Sequence, residues 1–565
     1  MASLSLDQAA LRDDAPDAPT DIQRRVLDLE ARTLILGHLW IAFAAFVAAA
    51  VLGAWQMWVR SPLPAPYSEP YNYFLSVTLH GTAMAYVLPT FFIMGFGYYV
   101  AETALDQPVP GRGLAWAALV LGAVGVVMAV VPILAGHATV LYTFYPPLTA
   151  SAWFYVGLVL VVAASWVWCV LMIVAMTRWK RAHPWQPVPL AMFATVANAI
   201  MWLWTTVGVA AELVFIVLPA AFGWTETVDP GLARTLFSWT LHAIVYFWLL
   251  PAYTAFYTIA PRAAGGRLYS DTMGRISFVA FLIYSLPVGM HHLLMDPEQS
   301  TGFKFLQSLL TSFVTVPTLL TIFTISASME IAGRLRGGRG ALGWVRALPW
   351  QQPMMLATGL AFIMLAFGGF GGLVNMSYGM NAMIHNTSWV TAHFHLIFGG
   401  SVVIMYFAIA YDIWPHLAGR APVAPRAQRL QLWLWFAGIM VTTLPWHWLG
   451  LQGQWRRVAH FDYNDPVIAW WAPWVTTSFV GGLVMLASAV LFIANLAAMH
   501  RGGRVAPGPM TYAVAVHPPR RLPSVLNGFG LWNVLVLVLM AASYGYPIAQ
   551  FFISPPPQVA AHSSR

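Results

Sequence analysis

The stretch IHNTSWVTAHFHLIFGGSVVIMYFAIAYDI, residues 384–413, combines a bilayer-length apolar run with three histidines, His385, His393 and His395. About 20 mostly apolar residues suffice to cross a membrane. Ionisable groups at that depth are costly and mark function by default. His393 and His395 are two residues apart, which is about 200° around a helix. They face opposite sides and cannot share one metal, but they can serve two cofactors flanking the helix.

Working outward, twelve further apolar segments read as spanning helices: 34–59, 72–100, 114–135, 150–177, 188–220, 235–261, 274–296, 304–333, 353–371, 430–451, 467–499 and 525–553. The expected fold is therefore all-α, a polytopic membrane helix bundle of about 13 transmembrane helices. Composition agrees, since 59% of the 565 residues are hydrophobic and only 8% are charged. Soluble domains carry about 25% charge. The net charge of +8 falls mostly in short loops, which fits a topology signal rather than a nucleic-acid surface. A single cysteine, Cys169, excludes internal disulfides and any cysteine-based cluster within this chain.

The expected organisation is a cytoplasmic N-terminal segment (1–33), one transmembrane catalytic domain (34–553) and an outer tail (554–565). The first 32 residues lack the charged and apolar regions of a cleaved signal, so insertion is expected to rely on the first spanning helix. With the N-terminus inside, only Arg60, Arg234, Lys304, Arg456, Arg457 and Arg565 of the 28 basic residues fall outside. An odd helix count puts the C-terminus outside. Arg456–Arg457 is the one adjacent basic pair on the outer side and calls for a local reason.

His80, His242, His291 and His292 also stand inside apolar segments. With His393 and His395 they fall roughly 8–17 Å from the outer helix ends, at about 1.5 Å per residue. Four helices thus deliver imidazoles to one layer. Pro287 and Gly289 precede the His291–His292 pair, and proline removes a helix hydrogen bond. A distorted helix there can turn both rings toward one ion, with His242 as a third ligand. Imidazole suits copper, zinc and iron, and also serves as an axial ligand to haem. His38 and His137 read as structural and His447 as an interfacial anchor. His183, His416, His500, His517 and His562 fall in loops or tails.

The runs TLHGTAMAY around His80, LYTFYPPL from Leu141, HAIVYFWLLPAY from His242, PVGMHH ending at His292 and HNTSWVTAHFHL from His385 resemble the catalytic subunit of haem–copper oxygen reductases. The resemblance spans about residues 30–550, and the spacing is most like the B-type branch of bacterial and archaeal cytochrome c oxidases. It implies that His80 and His395 are axial ligands of a low-spin haem b. His393 would be the proximal ligand of a high-spin haem, expected to be a-type, although a-, o- and b-type porphyrins use the same ligand. His242, His291 and His292 would hold copper B. Tyr246, four residues after His242 and on the same helix face, would be the tyrosine linked covalently to that histidine, supplying an electron and a proton for O–O cleavage.

Tyr253, Tyr257, Thr318, Thr321 and Thr324, with Ser270 near the mouth, match the family's K-type proton path. Threonines every three residues also suit plain helix packing. No acidic entrance to a second, D-type channel is legible. Arg456 and Arg457 match the arginines that bind haem propionates, and His385 matches a residue beside them.

The implied activity is a prokaryotic inner-membrane terminal oxidase reducing O2 to water with cytoplasmic protons and translocating protons. Electrons would come from cytochrome c through a second subunit carrying a binuclear copper centre. Three positions depart from the pattern: Leu241 and Ala243 flank His242 where relatives have glycine and proline, and Asn381 stands where an aspartate is common. One rival is a nitric oxide reductase of the same superfamily, which Tyr246 disfavours. Another is a secondary transporter coupled through intramembrane histidines.

Overall fold

The computed structural model describes residues 26–505 and 510–561. Every one of the 13 predicted segments is largely helical, with helix edges within five residues of the sequence-based ones in either direction. They are α1 (Leu29–Arg60), α2 (Pro70–Leu105), α3 (Arg112–Leu134), α4 (Ala152–Ala182), α5 (Leu190–Ala221), α6 (Pro230–Thr258), α7 (Asp271–Leu293), α8 (Thr301–Leu335), α9 (Pro353–Met376), α10 (Ser388–Ala418), α11 (Pro425–Leu451), α12 (Ala472–Arg501) and α13 (Gly530–Ile553).

Among the described residues, 12 of these are both long and apolar enough to cross a membrane. The remaining one, α11, has 27 residues. That is about 40 Å of helix against a hydrocarbon core of about 30 Å. Its four tryptophans, His447 and Arg426 and Arg429 lower its apolarity, not its length. It packs along α12 and against α10.

Local chemistry sets the helix starts. Asp28, Asp229, Ser270 and Ser300 each accept a backbone N–H of the first turn, satisfying a donor with no partner of its own. The core of the bundle is a continuous apolar cluster drawn from most of the helices.

Three of the irregular stretches adjoin histidines. A π segment, Ala83–Val87, follows His80, and another, His395–Val402, begins at His395. A third, Leu213–Val217, lies in α5. Such single-turn bulges recur at functional sites. The last eight residues of α7, Leu286–Leu293, are 3-10 helix with Val288 outside helical geometry (φ −116°, ψ 15°). The distortion expected from Pro287 and Gly289 is present. α8 is interrupted between Ser312 and Thr315.

The predicted tail after residue 553 is partly ordered by pairing. Strand β1 (Thr227–Val228), ahead of α6, runs antiparallel to β2 (Val559–Ala560). The N-terminal segment 1–33 lies outside the described residues up to residue 25, as do the last four residues of the tail, His562 included.

Candidate metal centres

His80 projects from α2 and His395 from α10, and their rings lie nearly parallel, with centroids 6.2 Å apart and planes 19° apart. A metal bound to one nitrogen of each at about 2 Å needs ring centroids roughly 6 Å apart. The Nδ1 of His80 bonds the Ala49 carbonyl of α1 at 2.8 Å, and that of His395 bonds its own helix at Thr391, also at 2.8 Å. A carbonyl accepts only, so each Nδ1 carries the hydrogen and Nε2 keeps its lone pair for a metal. The Trp446 indole stands edge-on to His395 at 5.3 Å. That end of α11 therefore serves this pair. His447, read from sequence as an interfacial anchor, is half-buried with its ring against Trp389 at 4.9 Å.

His393, two residues earlier, turns to the opposite side of α10, as the helical angle requires. Its Nδ1 donates to the Gly368 carbonyl of α9 at 2.8 Å. Gly371 permits this approach, because a Cβ there would lie 3.1 Å from that nitrogen.

His242, His291 and His292 form the third arrangement. Their ligand nitrogens all lie within 4.8 Å of one another. Ring centroids are 4.5 Å apart for His242–His291 and 4.2 Å for His291–His292. The Nδ1 of His291 donates to the Val288 carbonyl at 2.6 Å. The Nε2 atoms of His242 and His292 are buried with no hydrogen-bond partner. Buried polar nitrogens are seldom left so. Three imidazoles converging with two such atoms fit a cation that takes nitrogen ligands. Tyr246 is one turn from His242 with ring centroids 5.0 Å apart. With Ala243 following it, His242 stands on regular helix in α6, and Leu241 is partly buried beside it.

Toward the other end of α6, Tyr257 donates to either of two hydroxyls, Ser277 and Thr321, each 3.0 Å away. Tyr253 is buried beside Thr318. Thr324 bonds the Leu320 carbonyl at 2.7 Å, and Ser328 bonds the Thr324 carbonyl at 2.7 Å. Ser328 also accepts the Tyr269 N–H at 2.8 Å, next to Ser270, whose hydroxyl caps α7. Of the sequence-predicted hydroxyls, Tyr257 bonds Thr321 and Tyr253 stands beside Thr318, with Thr324 further along α8. Ser277 and Ser328 were missed, although Ser328 extends the threonine stripe of α8 by one turn.

Arg456 and Arg457 follow α11 in a loop, Arg457 at φ 61°. The Arg456 N–H bonds the Asn386 carbonyl at 3.0 Å, which fixes the pair beside the start of α10. Burial, with Arg457 alongside, lowers the Arg456 guanidinium to about 10, and its Nε has no partner. A half-buried cation without a carboxylate of its own fits an anionic group such as a propionate. Arg60, also missed, donates to the Trp455 carbonyl at 3.0 Å and so braces this loop. His385 hydrogen-bonds Asn381 Oδ1 at 3.1 Å, and the Asn381 amide donates to the Asn375 carbonyl at 2.6 Å. Burial and then the two arginines push the His385 imidazole down to about 4.

The family profile of cytochrome c and quinol oxidase polypeptide I matches residues 33–484. The chain belongs to that family. As a haem–copper oxidase subunit I it is an oxidoreductase, and the family's complement is haem and copper. Cytochrome c oxidase subunit 1 of Thermus thermophilus is 40% identical over 490 residues, covering 85% of this chain and 87% of the relative. The subunit of the same name from Thermostichus vulcanus is 27% identical, covering 89% and 90%. A haem–copper terminal oxidase dimer solved by cryo-EM superimposes with a TM-score of 0.91 at 31% identity, covering 95% of this chain and 96% of that one.

Proposed function

We propose that this haem–copper oxidase subunit is the catalytic subunit of a B-type cytochrome c oxidase that reduces O2 to water. The observation that carries this reading is the three-histidine cluster with Tyr246 at a ring distance of 5.0 Å from His242. His80 and His395 would hold a low-spin haem b, His393 a high-spin haem of a type, and His242, His291 and His292 copper B. When bound, these groups supply electron storage and the redox chemistry of oxygen reduction.

The chain's own residues do the rest. The ring of Tyr246 lies near both His242 and Phe281, and its hydroxyl would serve as a proton donor at the cluster. Ser270, Ser328, Thr324, Thr321, Tyr257, Thr318 and Tyr253 offer donors and acceptors for a single proton route, with waters bridging the gaps. Arg456 and Arg457 would clamp propionates, and His385 would share that site. Residues 34–553 would act as one catalytic unit. The N-terminus would be cytoplasmic and the C-terminus outside, in a prokaryotic inner membrane. Electrons would enter from cytochrome c through a second subunit with a binuclear copper centre, since Cys169 is the sole cysteine here.

Oxygen and nitric oxide turnover of the purified complex test the reading. The expected result is oxygen consumption inhibited by cyanide. Nitric oxide reduction without oxygen consumption would overturn it.

A further inference from the structure

The segment that carries His291 and His292 has lost its ordinary helical ladder, so its backbone groups need partners elsewhere. They find them mainly on α13. Tyr544 donates its hydroxyl to the Leu286 carbonyl at 2.9 Å and accepts the Gly289 N–H at 2.8 Å. Ser543 donates to the Pro287 carbonyl. The Val288 carbonyl is taken by His291 itself. Four consecutive residues just ahead of the two histidines are thus pinned, three of them by two adjacent side chains more than 250 residues away in the chain.

The pins are themselves held. Tyr544 is fully buried and stacks on Trp239 of α6 at 4.4 Å, three residues before His242. The Gln307 side-chain amide donates to Ser543 Oγ at 2.9 Å. Thr311 donates to the Gln307 carbonyl at 2.6 Å, and its oxygen lies 3.2 Å from His291 Nδ1. Gly289 leaves no slack, because a Cβ there would lie 2.1 Å from the Ser238 carbonyl oxygen and 2.6 Å from the Tyr544 hydroxyl. Elsewhere α13 is strongly exposed, with Val534, Leu537 and Val538 each more than half exposed. Its buried polar pair faces this one segment.

We infer that Tyr544 and Ser543 are positioning residues that hold the 3-10 segment so that His291 and His292 converge with His242 on one ion. This rests on the reading of those three histidines as the copper site. Helix packing alone would make loss of the Tyr544 hydroxyl affect haem and copper together or affect neither. A positioning role affects copper selectively, because neither residue bonds a haem-side histidine.

The test uses the complete oxidase complex with Tyr544→Phe, which keeps the ring stack and removes the hydroxyl. Ser543→Ala is the milder companion. Tyr546→Phe, on an exposed side chain of the same helix, is the control. Copper per haem iron is measured during titration with a copper chelator, together with the infrared stretch of carbon monoxide held on copper. Tyr544→Phe is expected to keep the wild-type haem spectrum, to bind copper roughly tenfold more weakly, within the range for lost ligand-orienting partners, and to shift the carbon monoxide stretch. Ser543→Ala shows a smaller effect and Tyr546→Phe none. Wild-type copper retention and an unshifted stretch in Tyr544→Phe would overturn the inference. If that variant also loses haem, Ser543→Ala decides, and unchanged copper binding there overturns the inference equally. A wild-type complex with haem but no copper would instead sink the reading of the site itself.

Discussion

The two histidine sets in this bundle are built differently. The rings of His80 and His395 have nearly parallel planes, 19° apart, and their ties are short carbonyl bonds to well-formed helix. His242 and His291 meet nearly perpendicular, at 80°, and two of the three histidines stand on 3-10 backbone braced by residues remote in sequence. Two imidazoles at that spacing, each with its Nε2 lone pair free, suit one metal held between them. Converging edges suit a single ion. The difference teaches that helices interrupted only by a π segment still present opposed ligands, whereas the converging set draws two of its three ligands from 3-10 backbone, and irregular backbone in a membrane requires partners from elsewhere in the protein.

Removing a ligand outright should separate the two sets most sharply. His395→Leu should abolish the low-spin haem band in a reduced-minus-oxidised spectrum while copper content holds. The loss of turnover should exceed the roughly 100-fold that follows loss of a mere ligand-orienting partner. Persistence of that band would break the assignment of the parallel pair. Tyr246→Phe should leave both metal complements intact and lower oxygen turnover by about 100-fold or more, the usual scale for a missing proton donor. Full activity in that variant would detach Tyr246 from the converging set.

A smaller effect is expected below the cluster. Thr321→Val removes one of the two hydroxyl partners of Tyr257. It should slow proton uptake by roughly tenfold, less than Tyr246→Phe because bridging waters can partly replace one hydroxyl. Flow-flash proton-uptake rates equal to wild type would reduce the stripe on α8 to helix packing.

The smallest effect concerns the loop side. The folded-state value of His385 is about 4, below its ordinary 6.5, so the unfolded chain binds more protons between those values. Stability from this group is complete above about pH 6.5 and is lost as the pH falls through about 4. Asn381→Asp places a carboxylate on the imidazole and raises its value by about one unit or more. Thermal unfolding followed from pH 7 down to pH 4 should then fall less steeply in the variant. Identical slopes would show that the Asn381 contact does not govern His385.

Much of this was legible because membrane helices announce themselves. Apolar runs marked all thirteen helices, and α11 was found even though its tryptophans depress its apolarity. The angular separation of His393 from His395 follows from helical pitch alone. Pro287 and Gly289 flagged the distortion at the end of α7. Ser277, Arg60, Trp446 and Tyr544 carried no comparable signal. Each is an ordinary residue for its surroundings, and its role depends on which distant atom it reaches. Ser328 is the exception, since it continues a visible stripe.

The sequence by itself determined the class of the molecule and its long helices, because hydrophobicity and helical period are local properties of the chain. Tertiary structure alone decided which imidazole faces which, and how the backbone ahead of His291 stays bent. Those outcomes depend on bonds between residues such as Leu286 and Tyr544, which only the packing of α13 against α7 brings within 2.9 Å.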